Sequence, residues 1–474
     1  MDRKLALLCA VYALLCAAVL MAYSVYGVGW DFIAHYLSAK ALLSGGLLDA
    51  AKSAISSNST SMNFGIIEGR SLYFEFYRAP LSIVVIALFL PLLGTFSIEA
   101  YLVAMVLLLL FAVVIVADAL EIERLVLGSL IALPYIVAFP FMVNSEEMLS
   151  LSLMLIAIAL AARKKWQAGA VLGLAALSKY TALIFLPVPL FIGDTKKTAA
   201  AYIAFAIVTL PWLAFNYSVL GNPLYSYLSS IRVSVESTLP SAPSLIALSA
   251  ILSGFIPAVL IAVSLAVKYA GEHGLAKRTG AALGKFRYFR GKPMLVALFF
   301  LLACIEFAIL GMHEDTFDQA RYGYFLFAAV ALLLSYAITA LCSNNGKLLF
   351  AAGAILLCFS IASLSAGIAF SEAHTGMGIS GGSADVQFYS AASAISSLGM
   401  KNCSFISNAW VFLRYRNISA YSPYAPMHVG TEALMPAVVF DGIGTAPSAV
   451  PIYVGESAHS YNGFTIYTPH GGAC

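Results

Sequence analysis

Charged side chains are what this chain has least of. Only 10% of its 474 residues are Asp, Glu, Lys or Arg, while 61% are hydrophobic. Apolar runs of about 20 residues recur from Leu5 to Phe370, so the composition is that of a multi-pass membrane protein. The net charge of +3 is scattered over loops, with no basic stripe interleaved with exposed aromatics, which excludes a nucleic-acid partner. Cysteine is also scarce. Cys9, Cys16, Cys304, Cys342 and Cys358 lie in or beside apolar spans as small hydrophobes and imply no metal site. The chain holds no P-loop, zincin helix, Rossmann glycine turn or Ser/His/Asp arrangement, so the chemistries those motifs carry are set aside. It also lacks a convincing internal repeat, which weighs against the repeat-built transporters.

What is present is a series of apolar segments, near 5–26, 79–94, 97–117, 125–143, 148–162, 166–193, 198–220, 243–267, 293–311, 323–341 and 347–370. The first follows Arg3 and Lys4 and is longer than a signal-peptide core, which makes it a retained helix. Orientation follows from the basic residues. Lys268, Lys277, Arg278, Lys285, Arg287, Arg290 and Lys292 crowd one connection and place it in the cytoplasm. Arg163-Lys164-Lys165 and Lys196-Lys197 belong on the same side, which makes 166–193 a helical hairpin with its apex at Ser178-Lys179-Tyr180. Each arm of about 13 residues reaches ~20 Å, so Lys179 sits at membrane depth. The same reasoning makes 79–94 an interfacial or re-entrant helix. The expected architecture is about 11 membrane helices, N-terminus cytoplasmic and C-terminus extracytoplasmic, in a cell (plasma) membrane. Residues 1–370 form the membrane domain, with 27–96 as a large first extracytoplasmic loop carrying interfacial helices. A Gly/Ser linker at 371–383 leads to a small α/β domain at 384–474. Its strands are expected at Ser404–Ser407, Ile418–Tyr421, Ala437–Phe440 and Phe464–Tyr467, around a helix near Trp410–Tyr415. Cys403 and Cys474 can pair if the compartment is oxidising. The N-x-S/T sequons at Asn58, Asn216, Asn402 and Asn417 all fall outside on this topology.

Candidate chemistry gathers at the outer face. Asp31 and His35 stand one helical turn apart just beyond the first span. Asp31 taken alone also suits a helix cap. Glu146 and Glu147 open the span after Asn144-Ser145, and two adjacent carboxylates at a membrane boundary exceed what a helix start needs. The connection from His313 to Tyr322 is dense in charge and ends in Arg321-Tyr322; a solvated turn with a snorkelling Arg321 is its bland alternative. Arg78, Lys179 and Arg321 lie at or below the boundary, where a cation takes an anionic partner. This set suits a reaction in which a membrane-held phosphate leaves and a hydroxyl attacks. A carboxylate takes the hydroxyl proton, His35 tunes or shares it, and the cations stabilise the leaving phosphate.

Four stretches resemble one family. The run Asp31-Phe32-Ile33-Ala34-His35-Tyr36, continuing to Gly46, resembles the first-loop motif of the GT-C membrane glycosyltransferases. That superfamily contains the dolichyl-phosphate-mannose protein mannosyltransferases and the aminoarabinose transferases. Tyr77-Arg78-Ala79-Pro80-Leu81 resembles the aromatic and proline start of their next segment, Ala168 to Leu183 their hairpin, and Arg321-Tyr322 their later Arg-Tyr element. The resemblance implies an inverting sugar transfer from a polyprenyl-phosphate donor to a protein, glycan or lipid acceptor. Asp31 takes the place of the catalytic base, and Glu146 or Glu147 that of the second-loop acid, where many relatives have Asp. Arg78, Lys179, Arg321 and Tyr322 fall to the donor phosphate. No metal ligand is assigned, and no cofactor beyond the lipid-linked donor is implied. The Trp-Trp-Asp signature of oligosaccharyltransferase subunits is absent, which disfavours en bloc transfer to asparagine. Two rival readings are a transporter or flippase for a lipid or solute, with Lys179 on its path, and a non-catalytic membrane scaffold.

Overall fold

The computed structural model describes residues 3–26, 30–44, 78–132, 145–236, 256, 258–264, 291–310, 323–342, 345–359, 384–407, 413, 418–421, 436–440, 457–461 and 464–468. The described chain is mostly helical, with a small sheet near its C-terminus. The helices are α1 (Arg3–Tyr26), α2 (Trp30–Leu43), α3 (Pro80–Leu93), α4 (Ser97–Leu120), α5 (Arg124–Ile131), α6 (Ser145–Ala162), α7 (Gln167–Ser178), α8 (Thr195–Leu220), α9 (Tyr225–Glu236), α10 (Lys292–Leu310) and α11 (Tyr324–Leu341). A shorter apolar helix, α12 (Gly346–Phe359), and α13 (Ala384–Ser397) complete the set used below. Of these, α4, α8, α10 and α11 are the 4 long and apolar enough to cross a membrane. The expected span at 125–143 is seen only as α5, because 133–144 lie outside the described residues. Most of 243–267, the basic stretch before Gly291 and the linker at 371–383 lie outside them as well.

Helices α4 and α6 pack along their length in the same direction, with the Arg163 guanidinium donating to the Ile115 carbonyl at 3.5 Å. Ser97 and Ser145 therefore mark one end of the bundle, and Leu120 and Ala162 the other. The second end gathers basic residues. Lys4 pairs with Glu123 at 2.9 Å, Arg124 with Asp118 at 2.6 Å and Lys292 with Glu121 at 2.6 Å. The Glu123 amide donates to Thr339 Oγ1 from α11, so α1, α4, α5, α10 and α11 all present a terminus there. Helix α3 does not join the crossing set. Arg78, just before it, reaches Glu146 in the first turn of α6, and the 3₁₀ turn Gly94–Phe96 after it leads straight into Ser97. Both of its ends thus lie at one end of the α4/α6 pair.

The hairpin at 166–193 differs from expectation in its second arm. The first arm is α7, but the chain then runs as two 3₁₀ segments, Tyr180–Phe185 and Val188–Ile192. Pro187 and Pro189 are the cause, since each lacks an amide hydrogen and crowds the preceding turn. Phe185 anchors this arm between Phe299 and Phe325, at ring-centroid distances of 5.1 and 4.8 Å. The α7 arm lies unusually close to α8: a Cβ on Gly169 would stand 1.8 Å from the Ala201 carbonyl oxygen. Lipid tails are as apolar as the helices themselves, so such backbone approach, rather than hydrophobic collapse, holds membrane helices together.

The C-terminal sheet has the order β2-β1-β3-β5-β4, with β1 (Ser404–Ser407), β2 (Ser419–Tyr421), β3 (Ala437–Phe440), β4 (Ser457–Tyr461) and β5 (Phe464–Thr468). β1 is parallel to β2 and β3, while β3/β5 and β5/β4 are antiparallel. The expected strands are present and β4 is an addition. Of the expected helix near Trp410–Tyr415 only Leu413 is described, and the helix observed beside the sheet is α13. The sheet's core does not close on itself. Ile33, Ala34 and Leu37 of α2 join Ala391, Ile395, Phe405, Val438 and Ile466 in one buried cluster, while Phe32 and Ala39 face the bundle core. Cys403 is disulfide-bonded; Cys474, its expected partner, lies outside the described residues. At the Asn216 sequon the side chain is buried, its amide donating to the Pro223 carbonyl and its oxygen accepting from Ser226. It is no acceptor for a glycan in the folded chain.

Candidate functional site

At the end of the bundle opposite the basic cluster, four elements deliver charged side chains to one buried place. Helix α2 brings His35, the segment before α3 brings Arg78, the first turn of α6 brings Glu146 and Glu147, and the hairpin apex brings Lys179. His35 Nε2 lies 3.2 Å from Glu146 Oε2. Arg78 Nη1 and Lys179 Nζ each lie 3.9 Å from Glu146 Oε1. Lys179 also donates to Glu147 Oε1 in a short ion pair. His35, Glu146, Glu147 and Lys179 are all buried, and Arg78 nearly so.

Local sequence explains each placement. Lys179 follows α7 in extended backbone, because the helix stops at Ser178 before the proline-bearing arm, and this turns its side chain across the start of α6. Its ammonium also stands over the Tyr324 ring, 5.3 Å from the centroid, where the negative face of the ring favours a cation. Arg78 is held through its backbone: Tyr180 Oη donates to its carbonyl at 3.2 Å, and Trp212 Nε1 donates to Tyr180 Oη at 2.9 Å. Tyr227 packs edge-on against Tyr180 at 5.9 Å. An aromatic wall from α8 and α9 thus supports the apex from the side.

Of the residues singled out from the sequence, His35, Arg78, Glu146, Glu147 and Lys179 come together. Asp31 stands in the first turn of α2, one turn before His35, and its side chain lies outside the described residues, as do Arg321 and Tyr322 entirely. The expectation that Arg78 and Lys179 answer to a ligand anion meets a refinement, because protein carboxylates already attend both. Sequence reasoning missed Tyr180, Trp212 and Tyr324 as supports. It also missed Glu306, a fully buried carboxylate in the otherwise apolar α10. The signal for Glu306 was there: an acid inside a membrane span is a site by default.

No cluster of three or more His, Cys, Asp or Glu side chains fit to hold a metal ion occurs among the described residues. What the arrangement can do is accept a proton from an attacking hydroxyl and offer cations to a departing anion, at a buried place where such charges act strongly. No family model, curated protein or solved structure matches the chain.

Proposed function

We propose that this chain is an inverting glycosyltransferase that moves a sugar from a polyprenyl-phosphate donor, of the dolichyl-phosphate-mannose kind, to an acceptor hydroxyl. In this reading the membrane carries about 11 helices, with the basic end cytoplasmic and the charged site at the extracytoplasmic face of the cell membrane. The Asp31 carboxylate takes the acceptor's hydroxyl proton. The acceptor oxygen bonds to the anomeric carbon from the face opposite the phosphate, the carbon–phosphate oxygen bond breaks, and polyprenyl phosphate leaves beside Lys179 and Arg78. Glu146 holds His35 and Arg78 in place, and Glu147 holds Lys179. Arg321 and Tyr322 complete the phosphate site.

The observation that carries this reading is the convergence of His35, Arg78, Glu146, Glu147 and Lys179 from four separate elements at the end away from the basic cluster. Burying that many charges is expensive, and chains keep such groups in membranes where they serve chemistry or transport. A disulfide at Cys403 agrees with an oxidising compartment on the side of the sheet.

A thermal-shift titration with polyprenyl phosphate tests the donor site. Lys179→Met alone removes the cation paired with Glu147, so the informative variant is Lys179→Met with Glu147→Gln, which removes both charges together. Wild type is stabilised, and the double variant binds more weakly by the ~1.5–3 kcal/mol of a charge-assisted contact. Asp31→Asn keeps size and removes the proton acceptor, so transfer falls by ~10²-fold or more. Stabilisation by a transported solute and none by polyprenyl phosphate would put the transporter reading in its place.

A further inference from the structure

The ion pairs at the basic end leave one flank of it uncompensated. Lys4, Arg124 and Lys292 each meet an acid there, and those pairings occupy Glu123, Asp118 and Glu121. The feet of the hairpin differ. Arg163, Lys164 and Lys165 precede α7, Lys196 and Lys197 open α8, all five are exposed, and none has an ion pair among the described residues. The acid nearest in sequence, Asp194, accepts from the Lys197 amide and so caps α8. The two feet stand together because α7 and α8 run in the same direction in close contact: Gly169 lies against the Ala201 carbonyl, and Gly173 against that of Phe205. Carried back one turn, this stagger brings the Lys164-Lys165 turn level with Lys196-Lys197. Like charges so placed repel one another unless an anion lies between them. Lys164 is also held in the left-handed region, at φ 56°, where glycine is the usual residue and a side chain costs strain. Bonds from the Lys164 amide to the Ala161 carbonyl and from the Lys165 amide to the Leu160 carbonyl, both 2.9 Å, fix that turn.

We propose that these feet form a site for the headgroup of an anionic phospholipid, with Arg163, Lys164, Lys165, Lys196 and Lys197 around its phosphate and Trp166 at the depth of its glycerol. Two observations select a lipid over another anion. Trp166, between the basic run and α7, is 45% exposed, and an indole with one polar edge and an apolar body favours the boundary between headgroups and hydrocarbon. Along α8 the exposed face turns apolar at Ile203, Ile207 and Leu210, each at least 60% exposed. Ile203 comes less than two turns after Lys197, about 9 Å at 1.5 Å per residue, so the cations fall at headgroup depth when that face meets the tails. A soluble acidic partner would need neither the indole nor the apolar face. One headgroup thus ties α7 to α8 at their starts, and α7 leads to the apex at its far end. The site lies at the opposite end of the bundle from the charged cluster, and it stands whether or not the chain transfers a sugar.

Thermal unfolding of the detergent-solubilised full-length protein tests this, with phosphatidylglycerol, phosphatidylcholine or inorganic phosphate added. Phosphatidylglycerol should raise the midpoint and the other two should not, and the rise should shrink as salt is added. The variant Lys164→Gln/Lys165→Gln/Lys196→Gln/Lys197→Gln unfolds as wild type does without lipid, since all four side chains are exposed, but it loses most of the rise. Each lysine neutralised singly weakens phosphatidylglycerol binding by about fivefold, the worth of one cation at an anionic surface. A full rise in the quadruple variant, or an equal rise with phosphatidylcholine, overturns the proposal. Inorganic phosphate that reproduces the rise overturns the lipid as occupant. So does polyglutamate that stabilises where phosphatidylglycerol does not, which gives the patch to an acidic protein. Fluorescence reads the position separately: phosphatidylglycerol brominated near the glycerol end of its tails quenches wild type more than Trp166→Phe. Equal quenching of the two places the headgroup elsewhere and overturns the site. Lys179→Met with Glu147→Gln keeps the phosphatidylglycerol response, so loss of the donor site and loss of this one are told apart.

Discussion

The two ends of the helical bundle spend charge in opposite ways. At the basic end, Lys4–Glu123 and Arg124–Asp118 keep about a third of their cations' side-chain surface in contact with the surroundings, and Glu121 opposite Lys292 is 79% exposed. At the other end, Lys179 and Glu147 retain 7% and 0%, and His35 and Glu146 0% and 8%. Exposed pairs gain little, because water already solvates each partner. They mark where the bundle stops. Buried pairs must recover a large desolvation cost, and replacing them with apolar residues is often no loss to stability. Among the described residues they are kept at one end, and that contrast is what supports placing the proposed site there.

The largest effect expected from this contrast comes from breaking a buried pair on one side. Glu147→Ala leaves Lys179 without its nearest carboxylate in a site shut off from water, and the cost is about 3 kcal/mol or more in chemical unfolding. Adding Lys179→Met to Glu147→Ala recovers most of that loss, because both members of the pair are then gone. If the double variant is as unstable as the single, the pair is not a unit and the contrast between the ends fails.

How far the sequence disclosed this end depends on the kind of signal. Glu146, Glu147, Lys179 and Arg78 stood out because a charge beside an apolar run is conspicuous, and their shared location followed once the basic residues had fixed which termini lie together. The second hairpin arm did not stand out, since a uniformly apolar stretch has no face from which to read a period. Pro187 and Pro189 were the legible sign that it could not be α-helical. β4 escaped because Ser457 to Tyr461 shows none of the alternation that marks a half-buried strand. The double duty of α2 was beyond reach altogether. Its Phe32 and Ala39 face one core and its Ile33, Ala34 and Leu37 another, and a helix apolar on two sides does not say what lies against each. That sharing means the C-terminal sheet packs on the very helix that carries Asp31 and His35.

A smaller effect, about 1–3 kcal/mol, is expected between the two ends, where the hairpin is seated. Gly169→Ala drives a methyl into the Ala201 carbonyl, and backbone rather than a flexible side chain is what must move. Because the displaced helix α7 ends at Ser178, next to Lys179, the shift is felt at the site. Unfolding should occur at lower denaturant, and polyprenyl-phosphate binding should weaken as well. A Gly169→Ala variant with wild-type stability would mean that α7 and α8 can separate freely, and that the apex is positioned by the aromatic wall alone.

The smallest effect belongs to the basic end and sharpens the comparison most. Arg124 donates two hydrogen bonds to Asp118, through Nε at 2.6 Å and Nη2 at 2.9 Å, the geometry of a good bidentate pair. Geometry of that quality would be worth a great deal in a dry site. Here both partners are about a third exposed, so solvent and salt screen the attraction and the side chains lose rotamer freedom to make it. Arg124→Ala is therefore expected to cost only ~0.2–1 kcal/mol, and the loss should shrink further as salt is raised. The Glu147→Ala penalty should hardly respond to salt, since ions do not reach its partner. Unfolding both variants at low and high ionic strength sets the two ends side by side. Equal salt dependence would mean that water enters the site freely, and the case for a shielded reaction chamber there would fall with it.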